Sequence, residues 1–135
     1  MFRRTFLATA AAFVAAPAFA ASGTPYSKGL VKKELAAGKT VVVDFYTDWC
    51  VTCRAQQRTL SALKSENPAY AENITFISVP WDKYSNGQLS RSLNIPRRST
   101  LVALKGDKEI GRIVAGTTRG QIKKLLDAAL NAAEV

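Results

Sequence analysis

The 135-residue sequence contains no histidine, one methionine and only two cysteines, Cys50 and Cys53. Without histidine the chain cannot form a Cys/His zinc set, a histidine-dependent catalytic triad or a C-x-x-C-H haem attachment. The lack of histidine, and of any methionine other than Met1, also counts against a soft-metal site, although two thiols alone remain available to Cu(I). We therefore expect no metal site and no cofactor, and the two cysteines become the main candidates for chemistry.

Long apolar runs are absent after the first twenty residues. Met1–Arg4 is a short cationic segment, Thr5–Ala16 is apolar and rich in alanine, and Ala18-Phe19-Ala20 fits the A-x-A cleavage pattern. The apolar run is too short to span a bilayer and is broken by Pro17, so a retained membrane anchor is only the alternative. The pattern predicts a cleaved export signal over residues 1–20 and one domain over residues 21–135.

The export route has two candidates. Arg3-Arg4-Thr5-Phe6-Leu7 resembles the twin-arginine motif, but paired arginines are also common in ordinary Sec signals. Either route implies a bacterial envelope, and we expect the mature chain in the periplasm.

Acidic residues are scarce, with 10 against 19 basic ones and a net charge of +9. The basic residues are dispersed, and few aromatics are interleaved with them, so we expect a solvated charged surface and no nucleic-acid partner. We also expect the protein to be a monomer. Such a surface would favour acidic partners or anionic lipid headgroups.

The most informative stretch is VVVDFYTDWCVTCR, residues 41–54. Three consecutive valines predict a strand buried on both faces. The two cysteines follow a short turn and open a polar, helix-forming segment. The order is therefore strand, turn, and a helix with two thiols in its first turn.

This placement predicts which cysteine reacts. The first turn of a helix has unpaired N–H groups and the positive end of the dipole, which stabilise an anion. Cys50, and not Cys53, should therefore have a lowered pKa and act as the solvent-accessible nucleophile. Cys53, one turn further on, would then attack the mixed disulfide. An inert buried pair or a static staple is the alternative.

Periodicity predicts the remaining elements. The predicted helices are Tyr26–Ala37 with a C-cap at Gly38, a helix from the cysteines to about Glu66, a short helix capped by Ser85 or Asn86 and ending at Leu93, and a last helix capped by Thr117 or Thr118. The predicted strands are Val41–Tyr46, Ile74–Val79, Thr100–Leu104 and Glu109–Ala115, with a loop at Pro80–Tyr84 and no evident strand before Tyr26.

The segment Asp44-Phe45-Tyr46-x-Asp48-Trp49-Cys50-x-x-Cys53-Arg54 resembles the active-site signature of the thioredoxin superfamily, and the similarity runs through most of residues 40–130. The resemblance implies an α/β thioredoxin fold, with a central mixed sheet of four to five strands flanked by helices. Within the superfamily, YTDWCVTCR most resembles the C-terminal periplasmic domain of the transmembrane thiol:disulfide interchange protein DsbD.

Further site residues follow from this resemblance. Asp44 lies inside an apolar strand, where a carboxyl should be hydrogen-bonded or neutral with a raised pKa, and the family assigns it as proton acceptor for Cys53. The alternative is that Asp44 is a structural residue whose carboxyl is hydrogen-bonded and takes no part in the reaction. Trp49 would form part of the partner-docking surface rather than the core. Val51 and Thr52 would contact the substrate and tune the reduction potential.

One position departs from the family. Thioredoxins carry a cis-proline before the strand that faces the cysteines, and the alignment places Ser99 there. We expect a trans bond between Arg98 and Ser99, because a cis bond before serine costs about 2.5–4 kcal/mol. The alternative is that Pro96 fills the site through a longer loop. The loop of Arg98, Ser99 and Thr100 should offer its backbone to substrate, and Arg98 would bring positive charge near the thiolate.

The resemblance implies an enzyme, a protein-disulfide oxidoreductase using Cys50 and Cys53. The preferred interpretation is that the protein reduces protein disulfides with electrons from a membrane thiol:disulfide donor. The alternatives are a disulfide oxidant or isomerase and a Cu(I)-binding dithiol module.

Overall fold

The structure, a computed structural model, describes residues 23–135. The predicted export signal lies outside the described residues. The strands are β1 (Thr24–Pro25), β2 (Thr40–Tyr46), β3 (Ile74–Pro80), β4 (Thr100–Lys105) and β5 (Lys108–Val114). The helices are α1 (Leu30–Ala36), α2 (Val51–Glu66), α3 (Ala69–Asn73), α4 (Trp81–Tyr84), α5 (Gln88–Ser92) and α6 (Arg119–Ala133).

The five strands form one mixed sheet in the order β1-β3-β2-β4-β5. β1, β3 and β2 are parallel, whereas β4 runs antiparallel to both β2 and β5. The predicted mixed sheet flanked by helices is confirmed. Because β4 is antiparallel to β2, its first residue Thr100 pairs with Phe45, near the end of β2. This topology brings the segment before β4 next to the segment that follows β2.

Both faces of the sheet are buried, as the triple valine predicts. Along β2, alternate side chains point to opposite faces. Val41, Val43 and Phe45 join the apolar cluster under α1, α4 and α5. Val42 joins the cluster under α2, α3 and α6. The alternation places Asp44, which is 4% exposed, on this second face.

Most predicted elements are confirmed, including the end of α2 at Glu66 and the Thr118 cap, whose Oγ1 accepts from the Gln121 N–H at 3.3 Å. The first helix begins at Leu30 rather than Tyr26, because Gly29 has a φ of 88° and lies outside the helical region. The C-cap residue is Ala37 rather than the predicted Gly38, which follows it in the left-handed conformation with a φ of 83°.

Four local predictions are wrong. Strand β1 and helix α3 were not expected, since two and five residues are too short for a periodic signal. The predicted loop after β3 contains a single helical turn, α4. Neither Ser85 nor Asn86 caps α5, which begins after Gly87 without a side-chain cap.

Within residues 23–135, no helix has the length and apolar character needed to cross a bilayer.

Candidate active site

The two cysteines lie at the N-terminus of α2. Cys50 is the N-cap residue, and its Sγ accepts a hydrogen bond from the Cys53 N–H at 3.1 Å. A thiolate in this position is stabilised by a backbone N–H donor and by the positive end of the helix dipole. The predicted helix-terminal geometry of Cys50 is confirmed.

The pKa values of the two thiols are shifted in opposite directions. Burial raises the pKa of Cys50, but hydrogen bonds from Cys53, Ser99 and Arg98 outweigh it and lower the pKa to about 7. Burial and the neighbouring Cys50 raise the pKa of Cys53. At neutral pH Cys50 is therefore the more ionised of the two thiols, which supports the predicted order of attack.

Exposure does not distinguish the cysteines. Both are free thiols, with 2% of Cys50 and none of Cys53 exposed, so the prediction of a solvent-accessible Cys50 is wrong. The segment before β4 explains the burial. Ser99 Oγ lies 3.1 Å from Cys50 Sγ, and the Arg98 guanidinium, which hydrogen-bonds Cys50, lies 4.3 Å from the centre of the Trp49 ring.

Ser99 occupies the position that faces the cysteines. Its hydroxyl lies 3.1 Å from Cys50 Sγ and 3.0 Å from Cys53 Sγ, and the residue is fully buried. Every peptide bond within residues 23–135 is trans, as we expected for the bond before Ser99. Pro96 is exposed and does not fill this position. Ser99 instead has a φ of 62°, an uncommon conformation for a residue other than glycine.

The expectation that this loop offers its backbone to substrate is wrong for Ser99. The Ser99 N–H donates to the Phe45 carbonyl at 2.7 Å, and its own carbonyl accepts from the Ala115 N–H at 2.8 Å. Thr100 is also fully buried, and its hydroxyl donates to the Arg97 carbonyl at 2.7 Å. Thr100 therefore shapes the turn rather than facing a partner, because it is already paired with β2.

Exposed side chains beside the thiols form a second part of the site. Trp49 is 59% exposed and Val51 69% exposed, whereas Thr52 is half-buried. The Trp49 Nε1–H donates to Asp82 Oδ2 at 3.0 Å, which fixes the ring. The core alternative for Trp49 is wrong. The other tryptophan, Trp81, is half-buried and packs edge-on to Phe45, at 6.1 Å between ring centres.

Asp44 lies buried on the α2 face of the sheet. Burial lowers the pKa of Lys64, a residue of α2, and the Asp44 charge acts in the opposite direction, which places the carboxyl and the ammonium within electrostatic reach. Burial, and then the charges of Asp48 and Asp44, raise the pKa of Tyr46. The role of Asp44 as proton acceptor for Cys53 stays a prediction.

Sequence reasoning missed Gln56, a fully buried residue of α2. Its Nε2 donates to the carbonyls of Ser99 and Gly116, both at 2.9 Å. The signal was present, because Gln56 occupies the same stripe of α2 as Cys53, Leu60 and Leu63. A polar side chain at an apolar position of an amphipathic helix indicates a specific partner.

The protein has a mixed five-stranded sheet, and two thiols lie at the N-terminus of the helix that follows β2. The pKa of one thiol is lowered and that of the other is raised. These features define a dithiol protein of the thiol–disulfide exchange class. The family model described as Thioredoxin matches residues 25–128, and the chain belongs to the thioredoxin family. The family catalyses thiol–disulfide exchange, and the Cys50–Cys53 pair fits that chemistry.

Individual relatives agree with this assignment. The chain is 30% identical over 93 residues to mitochondrial thioredoxin-2 of Schizosaccharomyces pombe, covering 69% of this chain and 65% of that protein. The corresponding values for a thioredoxin of Echinococcus granulosus are 28% over 90 residues, 67% and 78%. The crystal structure of Trxlp from Edwardsiella tarda EIB202 superimposes with a TM-score of 0.67 at 27% identity, covering 76% of this chain and 96% of that one. Thus the chain spans just under two thirds of the S. pombe relative's length.

Proposed function

We propose that this chain is an exported thioredoxin-like reductase of protein disulfides. The observation that carries the proposal is the position of Cys50 as the N-cap of α2, with its Sγ 3.1 Å from the Cys53 N–H and 3.1 Å from Ser99 Oγ. These hydrogen bonds lower the Cys50 pKa to about 7. A value near 7 is typical of reducing thioredoxins, whereas the strong oxidant DsbA has a nucleophile with a pKa of about 3.5. The less the thiolate is stabilised, the less the reduced form is favoured, and the better the pair donates electrons.

The reaction follows from the two acidities. The Cys50 thiolate attacks one sulfur of a substrate disulfide, forms a mixed disulfide and releases the other sulfur as a thiolate that takes up a proton. Cys53 then loses its proton, and we assign Asp44 as the acceptor. The Cys53 thiolate attacks Cys50, which closes the Cys50–Cys53 disulfide and releases the reduced substrate.

Substrate would dock beside Cys50 on the exposed side chains of Trp49 and Val51. A large aromatic ring and a branched apolar side chain together form a surface that can bury an extended peptide segment. Arg98 adds positive charge at the edge of this surface, which favours a substrate segment with acidic residues near its disulfide.

The second part of the proposal concerns the cellular compartment in which the protein acts. The cationic start, the apolar run and the A-x-A pattern of residues 1–20 support export to the periplasm and cleavage near Ala20. There the electrons would come from a membrane thiol:disulfide donor, since the periplasm has no thiol buffer to supply them. The likeness of YTDWCVTCR to the C-terminal domain of DsbD supports the same compartment.

Three measurements test the proposal. Redox titration should give the Cys50–Cys53 pair a potential near the thioredoxin value of about −270 mV, whereas a value near −120 mV would make the chain an oxidant. Reduced protein should also turn over insulin disulfides; stoichiometric Cu(I) uptake without turnover would favour the metal-binding alternative. Fractionation of the native host and N-terminal sequencing should find the chain in the periplasm, starting at Ala21.

A further inference from the structure

The feature that the proposed reaction leaves unexplained is the buried amide of Gln56. The side chain lies one turn after Cys53, in a stripe otherwise occupied by Leu60 and Leu63. Burying an amide without hydrogen bonds is unfavourable, so a glutamine at such a position depends on its partners. Here both partners are backbone carbonyls from outside α2, those of Ser99 and Gly116.

The two carbonyls belong to the segments on either side of the β4–β5 hairpin. Ser99 directly precedes β4, and Gly116 follows β5. The Ala115 N–H donates to the same Ser99 carbonyl at 2.8 Å, so that this oxygen accepts two hydrogen bonds. Gln56 therefore ties the cysteine helix to the turn that faces the cysteines, at a point where no proline is present to restrict the chain.

The turn at Ser99 depends on such restraints. A φ of 62° is unfavourable for serine and persists only where the surroundings hold it. The Ser99 N–H is held by Phe45, and its carbonyl by Ala115 and Gln56. In this conformation the hydroxyl lies 3.1 Å from Cys50 Sγ and 3.0 Å from Cys53 Sγ.

We propose that Gln56 is a positioning residue for thiol–disulfide exchange, whose amide holds the Ser99 turn so that the Ser99 hydroxyl lies between the two sulfurs. The hydroxyl then donates to whichever sulfur is anionic: Cys50 before attack on the substrate, and Cys53 before resolution. A single rotating O–H serves both steps because it is within hydrogen-bond distance of both atoms. The chain thereby replaces the ring of the family's proline with a hydrogen-bonded pair.

The proposal is tested by a double-mutant cycle read on the thiol itself. Gln56→Met removes both donors at nearly constant volume, and the Cys50 thiolate is titrated by its absorbance near 240 nm in the reduced protein. Loss of the positioned hydroxyl should raise the Cys50 pKa and slow its alkylation at pH 7 several-fold. Gln57→Met is the matched control, because Gln57 is the next residue of α2 and takes no part in the described hydrogen bonds to Ser99 or Gly116.

Repeating the Gln56→Met substitution in a Ser99→Ala background distinguishes a positioning role of Gln56 from a packing role. Ser99→Ala should raise the Cys50 pKa by itself, and Gln56→Met should then add no further shift. An unchanged titration curve in Gln56→Met, or an equal further shift in the Ser99→Ala background, would overturn the proposal.

A second measurement needs no substitution at Gln56. Nuclear magnetic resonance of the reduced wild type should detect a scalar coupling across the hydrogen bond from Gln56 Nε2 to the Ser99 carbonyl carbon, and its absence would contradict the proposal even if Gln56→Met does not fold. The inference rests on the proposed exchange reaction, but both readouts are independent of it. Failure of the insulin assay would refute the reductase and leave these two results unchanged.

Discussion

The two faces of the sheet differ in what they bury. The face under α1, α4 and α5 is built from valine, isoleucine, leucine and phenylalanine side chains contributed by three neighbouring strands. The face under α2, α3 and α6 is equally closed, yet it also buries Asp44 and Gln56, with the two thiols at its edge. The first face buries the small hydroxyl of Ser90, whereas the carboxyl, the amide and the thiols all belong to the second. Buried carboxyl and amide groups are unfavourable unless they are satisfied, so their placement separates the part that performs chemistry from the part that mainly supplies stability.

The largest effect should come from the cysteines. Cys50→Ser should abolish reduction of insulin disulfides, because it removes the thiol with the lowered pKa, which acts as the nucleophile. Cys53→Ser should also stop turnover but leave attack intact, so mixed disulfides with partners accumulate. Non-reducing gels of cell extracts distinguish the variants, and trapping by Cys50→Ser instead of Cys53→Ser would reverse the assignment.

Adjacent residues of β2 allow a direct comparison of the faces. Asp44→Asn should slow disulfide reduction at pH 7 by roughly tenfold or more, because it removes the proposed proton acceptor while the fold persists. Val43→Ala, on the opposite face, should lower the free energy of unfolding by about 2 kcal/mol and leave the rate unchanged. Stopped-flow kinetics and urea denaturation measure the two quantities.

The comparison fails if the two variants behave alike. An unchanged rate in Asp44→Asn would show that the carboxyl is only structural. A slower exchange in Val43→Ala at equal folded fraction would show that the apolar face also acts on the thiols.

The smallest of these effects should come from Arg98. Arg98→Ala removes one hydrogen-bond donor to Cys50 and the cation over Trp49. The Cys50 pKa should rise toward its ordinary value, so that alkylation at pH 7 slows by roughly three- to tenfold if accessibility is equal. Because the substitution also uncovers Cys50, the pH midpoint rather than the rate is the decisive measurement. A midpoint that does not move would mean that Arg98 covers the site without tuning it.

The sequence predicts the local elements of this molecule better than its long-range contacts. The continuous β-branched run of β2 indicates a buried strand, and the 3.6-residue period of α6 indicates a helix with one apolar face. The helix-terminal position of the cysteines, the burial of Asp44 and the exposure of Trp49 were predictable, because local order or resemblance marks them. Gln56 was not found, since its partners Ser99 and Gly116 lie 43 and 60 residues away and come together only through the sheet topology.

The same reason explains the misjudged burial of Cys50. Position at a helix N-terminus is local and correctly indicates a lowered pKa. Exposure depends on the turn before β4, and its left-handed Ser99 has no sequence signal comparable to glycine. Thr100 was misassigned for the same reason, because its pairing with Phe45 is a long-range contact.

The central claim is that the fold makes Cys50, and not Cys53, the thiolate at neutral pH. The most direct test is the pH dependence of iodoacetamide alkylation of the reduced protein, with the modified residue identified by mass spectrometry. Cys50 should react first with a midpoint near pH 7, so its rate rises roughly eightfold to tenfold between pH 6 and 8, while Cys53 stays unmodified. Alkylation of Cys53 before Cys50, or a Cys50 midpoint near the ordinary thiol value of about 8.5, would contradict the account.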